Sequence, residues 1–392
     1  MVRRSVGLYI HVPFCPAKCH YCDFNSFAGL DRLRGPYVRA AVREIRRAPA
    51  GLGAAEVDLA AETVNFGGGT PSLLDPTEVQ AILEAARGHM AVANDAEISL
   101  EANPGTVAAA RLAALRRIGV NRISYGIQSF DATLLARIGR IHSVEQALAA
   151  RELARHAGFE NVNLDFIYGL PGQSLATWRE TLRRAIELAP EHLSAYALTI
   201  EPGTIFHLQR SRGILAPATE DEMADQYELA TEMLGEAGYV HYEISNWARD
   251  ERFACRHNLR YWRNQEYVGI GPGAHSWFGG ARTIATRAPA AWIAQVEHGE
   301  ATVEERETIP ADLELGETAM LGLRLREGID LSALRERLGP AVGRLAEPLN
   351  SLVEQGLVAR SASRVALTDR GRLLGNEVFA RVLTAARDPG PA

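Results

Sequence analysis

Along the first 245 residues, apolar runs of strand length alternate with longer stretches in which apolar positions recur every three to four residues. Residues 6–13, 62–66, 97–101, 122–126, 161–167 and 192–199 read as strands, whereas 36–47, 78–87, 111–117, 144–156, 174–188 and 220–237 carry the helical period. Regular strand–helix alternation implies parallel strands joined by helical crossovers. The pattern therefore predicts an α/β fold: a partial (β/α)6, TIM-like barrel spanning residues 1–245, open rather than closed on eight strands. A doubly wound sheet is the competing arrangement. Residues able to do chemistry fall at nearly every strand end, which suits the mouth of a barrel better than a single crevice.

The pattern breaks near residue 246. Residues 246–309 are rich in Trp, Tyr, His, Gly and Asn and read as an irregular segment covering the barrel. From 310 to 392, helical stretches at 313–325, 331–338 and 342–355 precede two short apolar runs at 356–358 and 364–367 and a last helix from about 368. That order resembles a winged-helix module, a smaller and mainly helical C-terminal domain. Acids and arginines interleave along these helices, so packing or protein contact is expected of it rather than DNA binding.

The 392 residues exceed what one small core absorbs, in keeping with a large domain plus a smaller one. A formal charge of −6 with both signs scattered offers no basic field for a phosphate backbone, and nucleic acid is not expected as a partner. No window approaches the ~20 apolar residues of a membrane span. Four cysteines, three of them clustered, make no disulfide framework and point to a reducing, cytoplasmic setting. Lys18, the only lysine in the chain, lies inside the cysteine cluster, where a cation would favour thiolates.

Cys15, Cys19 and Cys22 are spaced C-x-x-x-C-x-x-C in the run VPFCPAKCHYCDF. Three thiolates so close together can hold a [4Fe–4S] cube while leaving one iron without a protein ligand, open to an exchangeable outside ligand. A structural zinc site or a redox C-x-x-C pair is the plainer reading. Zinc usually takes two separated ligand pairs, and only Cys255, followed by His257, remains to supply a second.

The run from Tyr9 to Cys15, the triplet, and Gly67-Gly68-Gly69-Thr70-Pro71 resemble the radical S-adenosylmethionine (SAM) superfamily, in its oxygen-independent coproporphyrinogen III oxidase branch. The resemblance implies a [4Fe–4S] cluster held by Cys15, Cys19 and Cys22. It also implies SAM bound to the open iron and cleaved by one electron to methionine and a 5′-deoxyadenosyl radical. Gly68, Gly69 and Thr70 would then hold the SAM amino group, Glu101, Gln128 and Asp165 would make polar contacts including the ribose, and Arg140 would pair with the methionine carboxylate. Tyr9 and Tyr21 would lie beside the cluster and adenine.

Three features depart from the oxidases: Cys15 comes early in the sequence, Asp23-Phe24 stands where they carry a further cysteine, and His257-Asn258-Leu259-Arg260-Tyr261-Trp262 forms an H-N-x-x-Y-W motif. These resemble the sister family of radical SAM haem chaperones, whose H-N-x-x-Y-W motif is associated with haem. The resemblance implies a protein that binds haem and hands it to an acceptor of unknown identity, one able to sit at a membrane surface and be contacted there transiently. His257 is the expected haem ligand, with His275 and Cys255 as rivals; the motif folded over the barrel mouth as a plain lid is the other reading. No catalytic residue is assigned, and enzymatic turnover stays open. The alternative activity is decarboxylation of porphyrinogen propionates, and a radical SAM methyltransferase or cyclase is a third class.

Overall fold

The computed structural model describes residues 2–51 and 57–387. Its centre is six strands in sequence order, all parallel: β1 (Val2–Val12), β2 (Val57–Gly68), β3 (Glu97–Ala102), β4 (Arg122–Gln128), β5 (Val162–Tyr168) and β6 (His192–Ala197). Parallel neighbours need a crossover each time. The crossovers run through α1 (Arg34–Gly51), α2 (Pro76–His89), α3 (Ala109–Arg117), α4 (Ala132–Arg137), α5 (Val144–His156) and α6 (Leu175–Leu188). After β6 come α7 (Ile205–Ser211) and α8 (Glu220–Glu236). This is the open, partial (β/α)6 barrel that the alternation predicts.

Helix starts follow from local sequence. Ser143 and Gln146 form a capping box at α5, and Thr219 and Glu222 do so at α8, each satisfying amides that the first helical turn leaves free. The strands present one face of each kind. On β5, Val162, Leu164 and Phe166 are buried in the main core, while Asn163 and Asp165 alternate with them on the opposite face. That polar inner face is what the barrel offers a ligand.

Residues 246–309, expected to be irregular, extend the sheet instead. β7 (Val240–Glu243) and β8 (Asn246–Ala248) add antiparallel strands beyond β6, β8 lying against it. After α9 (Arg256–Trp262), β9 (Tyr267–Ile270) pairs parallel with the other side of β1. β10 (His275–Phe278), β11 (Ala281–Ala285) and, after α10 (Pro289–His298), β12 (Val303–Thr308) complete a twelve-strand sheet. These strands run only three to six residues and are broken by Gly271-Pro272-Gly273. Runs so short give no readable period.

The remaining elements are α11 (Ala311–Leu323), α12 (Leu331–Leu338), α13 (Ala346–Glu354), α14 (Asp369–Leu373) and α15 (Gly375–Ala386). They pack with a small antiparallel sheet of β13 (Ile329–Asp330), β15 (Arg364–Leu367) and β14 (Val358–Ser361), in that order. Leu315, Leu345, Leu352, Val365 and Val378 centre a second core distinct from that of the barrel. An antiparallel bridge between Glu243 and Leu325, with the Arg326 amide donating to the Tyr242 carbonyl at 2.9 Å, sets this unit against β7. At the opposite margin β12 is exposed throughout, with Glu304, Glu305, Arg306 and Glu307 side by side.

Candidate functional site

A cavity of about 420 Å3 runs through the barrel from the loops after β1–β4 down to the start of β4 and β6. Cys15, Cys19 and Cys22 line it together with Tyr21, Gly68, Gly69, Thr70, Glu101, Gln128, Arg140 and Asp165. Of the residues singled out for the cluster, SAM and haem, Tyr9, His257 and His275 are missing from its wall. The cysteine loop is closed on itself by pairing of Phe14–Cys15 with Phe27–Ala28, and Lys18 Nζ donates to the carbonyls of Phe24 at 2.8 Å and Ser26 at 3.2 Å. Burial pushes the Cys22 thiol up, an effect opposed by the Phe24 backbone, Ser26 and the Lys18 charge.

Two of the three sulfurs are joined by a hydrogen-bonded arc. Thr70 Oγ1 donates to Cys15 Sγ at 3.5 Å, and Asn103 Nδ2 donates to Thr70 Oγ1 at 3.0 Å. Arg140 Nη2 donates to Asn103 Oδ1 at 2.6 Å, while its Nη1 donates to Cys19 Sγ at 3.6 Å. Donors aimed at sulfur favour the thiolate and tune a bound cluster. Sequence reasoning missed Asn103, although it lies in the same strand-end run as Glu101; its role appears only when β2 and β3 are side by side.

The residues fit the group the motif implies. Among the described residues no set of three or more His, Cys, Asp or Glu converges on one point as ligands of a single metal ion do. A four-iron cube takes its cysteines at separate corners instead. Gln128 Oε1 and Arg140 Nε, both buried on cavity-lining residues, have no partner among the described residues, and each orphan costs about 1–3 kcal/mol until something pairs with it. Gln128 also sits at φ 69°, a left-handed conformation that costs a non-glycine residue about 1–2 kcal/mol. Strain and unpaired polarity thus coincide on one residue of the wall.

The glycine run is required by space. A Cβ on Gly69 would lie 2.6 Å from the Phe14 carbonyl oxygen and 3.1 Å from Cys15 Sγ, and Gly68 combines φ +104° with a Cβ position 2.6 Å from the His11 ring. Gly69→Ala is expected to displace Cys15 and lose most of the cluster absorbance after anaerobic reconstitution, with the far-ultraviolet circular dichroism of the wild type. Full absorbance in that variant would show that the loop has room to shift.

Deeper in the barrel the wall is a polar network. Asp165 accepts from Ser124 at 2.7 Å and from Asn163 at 2.8 Å, and His192 bonds Asn163 and Tyr242. Burial raises Glu101 to about 7, with the Asp165 charge adding to it and hydrogen bonds from Gly68 and Asn65 opposing. Burial also raises Asp165, which Ser124, Ser194 and Asn163 restrain. Cys255 stands at this deep end, apart from the triplet, with its thiol 3.6 Å from Glu97 Oε1. Burial and then Glu97 push it up to about 12, so it is a neutral thiol at pH 7.

A second cavity, of about 630 Å3, adjoins the first and shares Asp23, Phe24, Gly68 and Glu101 with it. Its wall is aromatic: Tyr9, Tyr261, Trp262, Tyr267 and Trp277, with His11, His275, Arg282 and Arg287. Tyr9, expected beside cluster and adenine, is here. His257, expected as the haem ligand, is in neither cavity. It is 1% exposed; Nδ1 bonds Thr63 Oγ1 and Nε2 bonds Tyr261 Oη, each at 2.8 Å. The Glu97 carboxylate accepts the amides of Arg256 and His257 and so caps α9, drawing the first turn inward. Burial, assisted by Arg260, lowers His257 to about 3.

The cysteine loop is tied to the second cavity by Asn25, whose Nδ2 donates to the carbonyls of Pro272 and Arg287, each at 2.9 Å. Asn25 lines that cavity itself, as do Gly273 and Arg287.

Residues 9–185 match the family model described as the Radical SAM superfamily, and residues 309–374 match the HemN C-terminal domain. The solved structure of coproporphyrinogen III oxidase (HemN) from Escherichia coli, a radical SAM enzyme, superposes with a TM-score of 0.83 at 25% identity, covering 97% of this chain and 91% of that one. Fold and cysteine site together define a radical SAM protein, a class that carries a [4Fe–4S] cluster and SAM. Heme chaperone HemW of Bacillus subtilis (strain 168) is 35% identical over 377 residues, 96% of this chain and 98% of that one. Heme chaperone HemW of Escherichia coli (strain K12) is 39% identical over 384 residues, 95% and 97% of the two chains. The chain belongs to the HemW family.

Proposed function

We propose that this protein binds haem and passes it to an acceptor protein, with the cysteine triplet and its cavity holding the cluster and SAM. The observation that carries the reading is the aromatic cavity beside the cysteine cavity. Its volume falls within the about 300–1,000 Å3 of small-molecule sites, and stacked side chains suit a flat, apolar macrocycle. The family name borne by the relatives points the same way.

Cys15, Cys19 and Cys22 would ligate the cluster. Gly68, Gly69 and Thr70 would meet the SAM amino group, and Arg140, a planar fork already beside Cys19, would turn to the methionine carboxylate. Gln128 Oε1 would accept from a ligand hydroxyl or amine, Glu101 and Asp165 would complete the ribose side, and Tyr21 would flank the adenine. When bound, cluster and SAM supply one-electron chemistry; the chain's own part is to orient them and keep water from the sulfurs. The division we propose is a barrel to residue 245, a segment over 246–309 that adds to its sheet, and a C-terminal unit from 310. No helix among the described residues is long and apolar enough to cross a membrane.

The likeness to HemN supports a second reading, an oxidase of porphyrinogen propionates. One sample separates the two. Anaerobic haem titration of reconstituted protein, followed optically, should show stoichiometric binding, and coproporphyrinogen III assayed with SAM and reductant should not turn over. Turnover without specific haem binding would reverse the choice.

A further inference from the structure

We infer that haem sits in the aromatic cavity against β1 with the His275 imidazole as its iron ligand, the H-N-x-x-Y-W motif forming wall rather than ligand. This rests on the haem-binding function proposed above and locates it. Haem iron takes an imidazole nitrogen, a sulfur or a tyrosinate oxygen with a free lone pair facing the cavity, and burial keeps the hydroxyls of Tyr9, Tyr261 and Tyr267 protonated. Three histidines stand at or next to this cavity, and two are committed. His11 Nδ1 accepts from the Tyr9 hydroxyl at 3.1 Å and its Nε2 bonds the Asn25 carbonyl at 2.9 Å. His257 has both nitrogens engaged inside the fold. His275 lines the cavity, is solvent-accessible, and its ring has no hydrogen-bond partner among the described residues. Among the described residues no cysteine or methionine lines this cavity.

The backbone delivers His275 to that place. β9 and β10 form a hairpin whose turn is Gly271-Pro272-Gly273-Ala274. A Cβ on Gly269 would lie 2.1 Å from the His275 carbonyl oxygen, so a glycine there lets the strand carrying the imidazole close over its neighbour. The hairpin is fixed from outside by the Gly271 amide donating to Glu44 at 2.8 Å and from the cysteine loop by Asn25. The donor is thus held on a strand rather than on a free loop.

The walls match the rest of the ligand. Tyr261 and Trp262 of the motif, with Trp277 and Tyr9, supply apolar faces. Tyr9 and Tyr261 turn their hydroxyls to His11 and His257, which leaves ring area toward the cavity. Arg287 lies at the rim paired with Glu305, 55% exposed. Exposed pairs of this kind contribute only about 0–1 kcal/mol, so a haem propionate can replace the glutamate at little cost. The motif's two aromatic residues line the haem, and its histidine holds them through Tyr261.

The test is an anaerobic titration of ferric haem into the cluster-reconstituted full chain, read by optical and paramagnetic resonance spectra, for wild type, His275→Ala and His257→Asn. His275→Ala should bind at least about tenfold more weakly and lose the imidazole-ligated spectrum, with both restored by added free imidazole. His257→Asn should keep the wild-type haem spectrum while melting at a lower temperature. Wild-type affinity and spectrum in His275→Ala, or loss of the ligand signature in folded His257→Asn, would overturn the site and leave haem binding by the chain intact. A wild type that binds no haem would instead overturn the function on which the site rests.

Discussion

Replacing any one of Cys15, Cys19 or Cys22 with alanine is expected to abolish the cluster's brown chromophore, whereas Cys255→Ala keeps it. The triplet stands on one wall with hydrogen-bond donors on two of its sulfurs, Thr70 on Cys15 and Arg140 on Cys19. On the proposed assignment three thiolates serve the cube, so removing one leaves two irons open, and Cys255 is too far off to replace it. Cys255 is held at the far end of the cavity beside Glu97, protonated and enclosed. Iron and sulfide content together with the visible ligand-to-iron absorbance of such clusters measure the outcome. Full iron content in a triplet variant would remove that cysteine from the ligand set. Loss of iron in a folded Cys255→Ala would add a ligand that the geometry keeps away.

Glu101→Gln is expected to flatten the pH dependence of stability of the cluster-free protein and to stabilise it at pH 8. The folded chain holds the Glu101 proton up to about pH 7, against an ordinary value of 4.5. Below 4.5 both folded and unfolded chains are protonated and nothing is lost. Between 4.5 and about 7 the unfolded chain ionises while the folded one keeps its proton, so stability falls as pH rises. Above 7 the full penalty, about 3 kcal/mol, is present. Glutamine keeps an acceptor for Gly68 and Asn65 and carries no charge, which removes that slope. Denaturant melts of both proteins at pH 5 and pH 8 decide it: parallel behaviour would mean that the cavity solvates the carboxylate. On the SAM contact proposed for Glu101 above, the same variant should bind SAM more weakly.

The sequence made the barrel legible because its strands are long and bounded by good caps. β1, β5 and β6 fall within a few residues of their expected limits, and the capping boxes at Ser143 and Thr219 mark helix starts unaided. The strand-end chemistry was legible as well, since parallel strands bring their ends to one mouth. Two things were not. β8 to β12 are too short to show a period, and the aromatic cavity draws its wall from β1, α9 and the β9–β10 hairpin, residues more than two hundred positions apart. The H-N-x-x-Y-W motif hides a contact in its spacing. His257 and Tyr261 are four apart on one helical turn, the spacing at which side chains meet, and a hydrogen bond joins them in the fold.

An open sheet has two unfinished margins, and this chain guards them by unlike means. At β12 the guard is charge: Glu304, Glu305 and Glu307 make the outer ladder repellent to a second copy, with no other element needed. At β7 the guard is another piece of the chain, the Leu325–Arg326 segment that bonds Glu243 and Tyr242. Solubility of the barrel is therefore bound to the C-terminal unit. A chain cut at residue 309 would lose more than a module: it would carry an uncovered strand, with Val240 already 42% exposed, ready to pair with its neighbour.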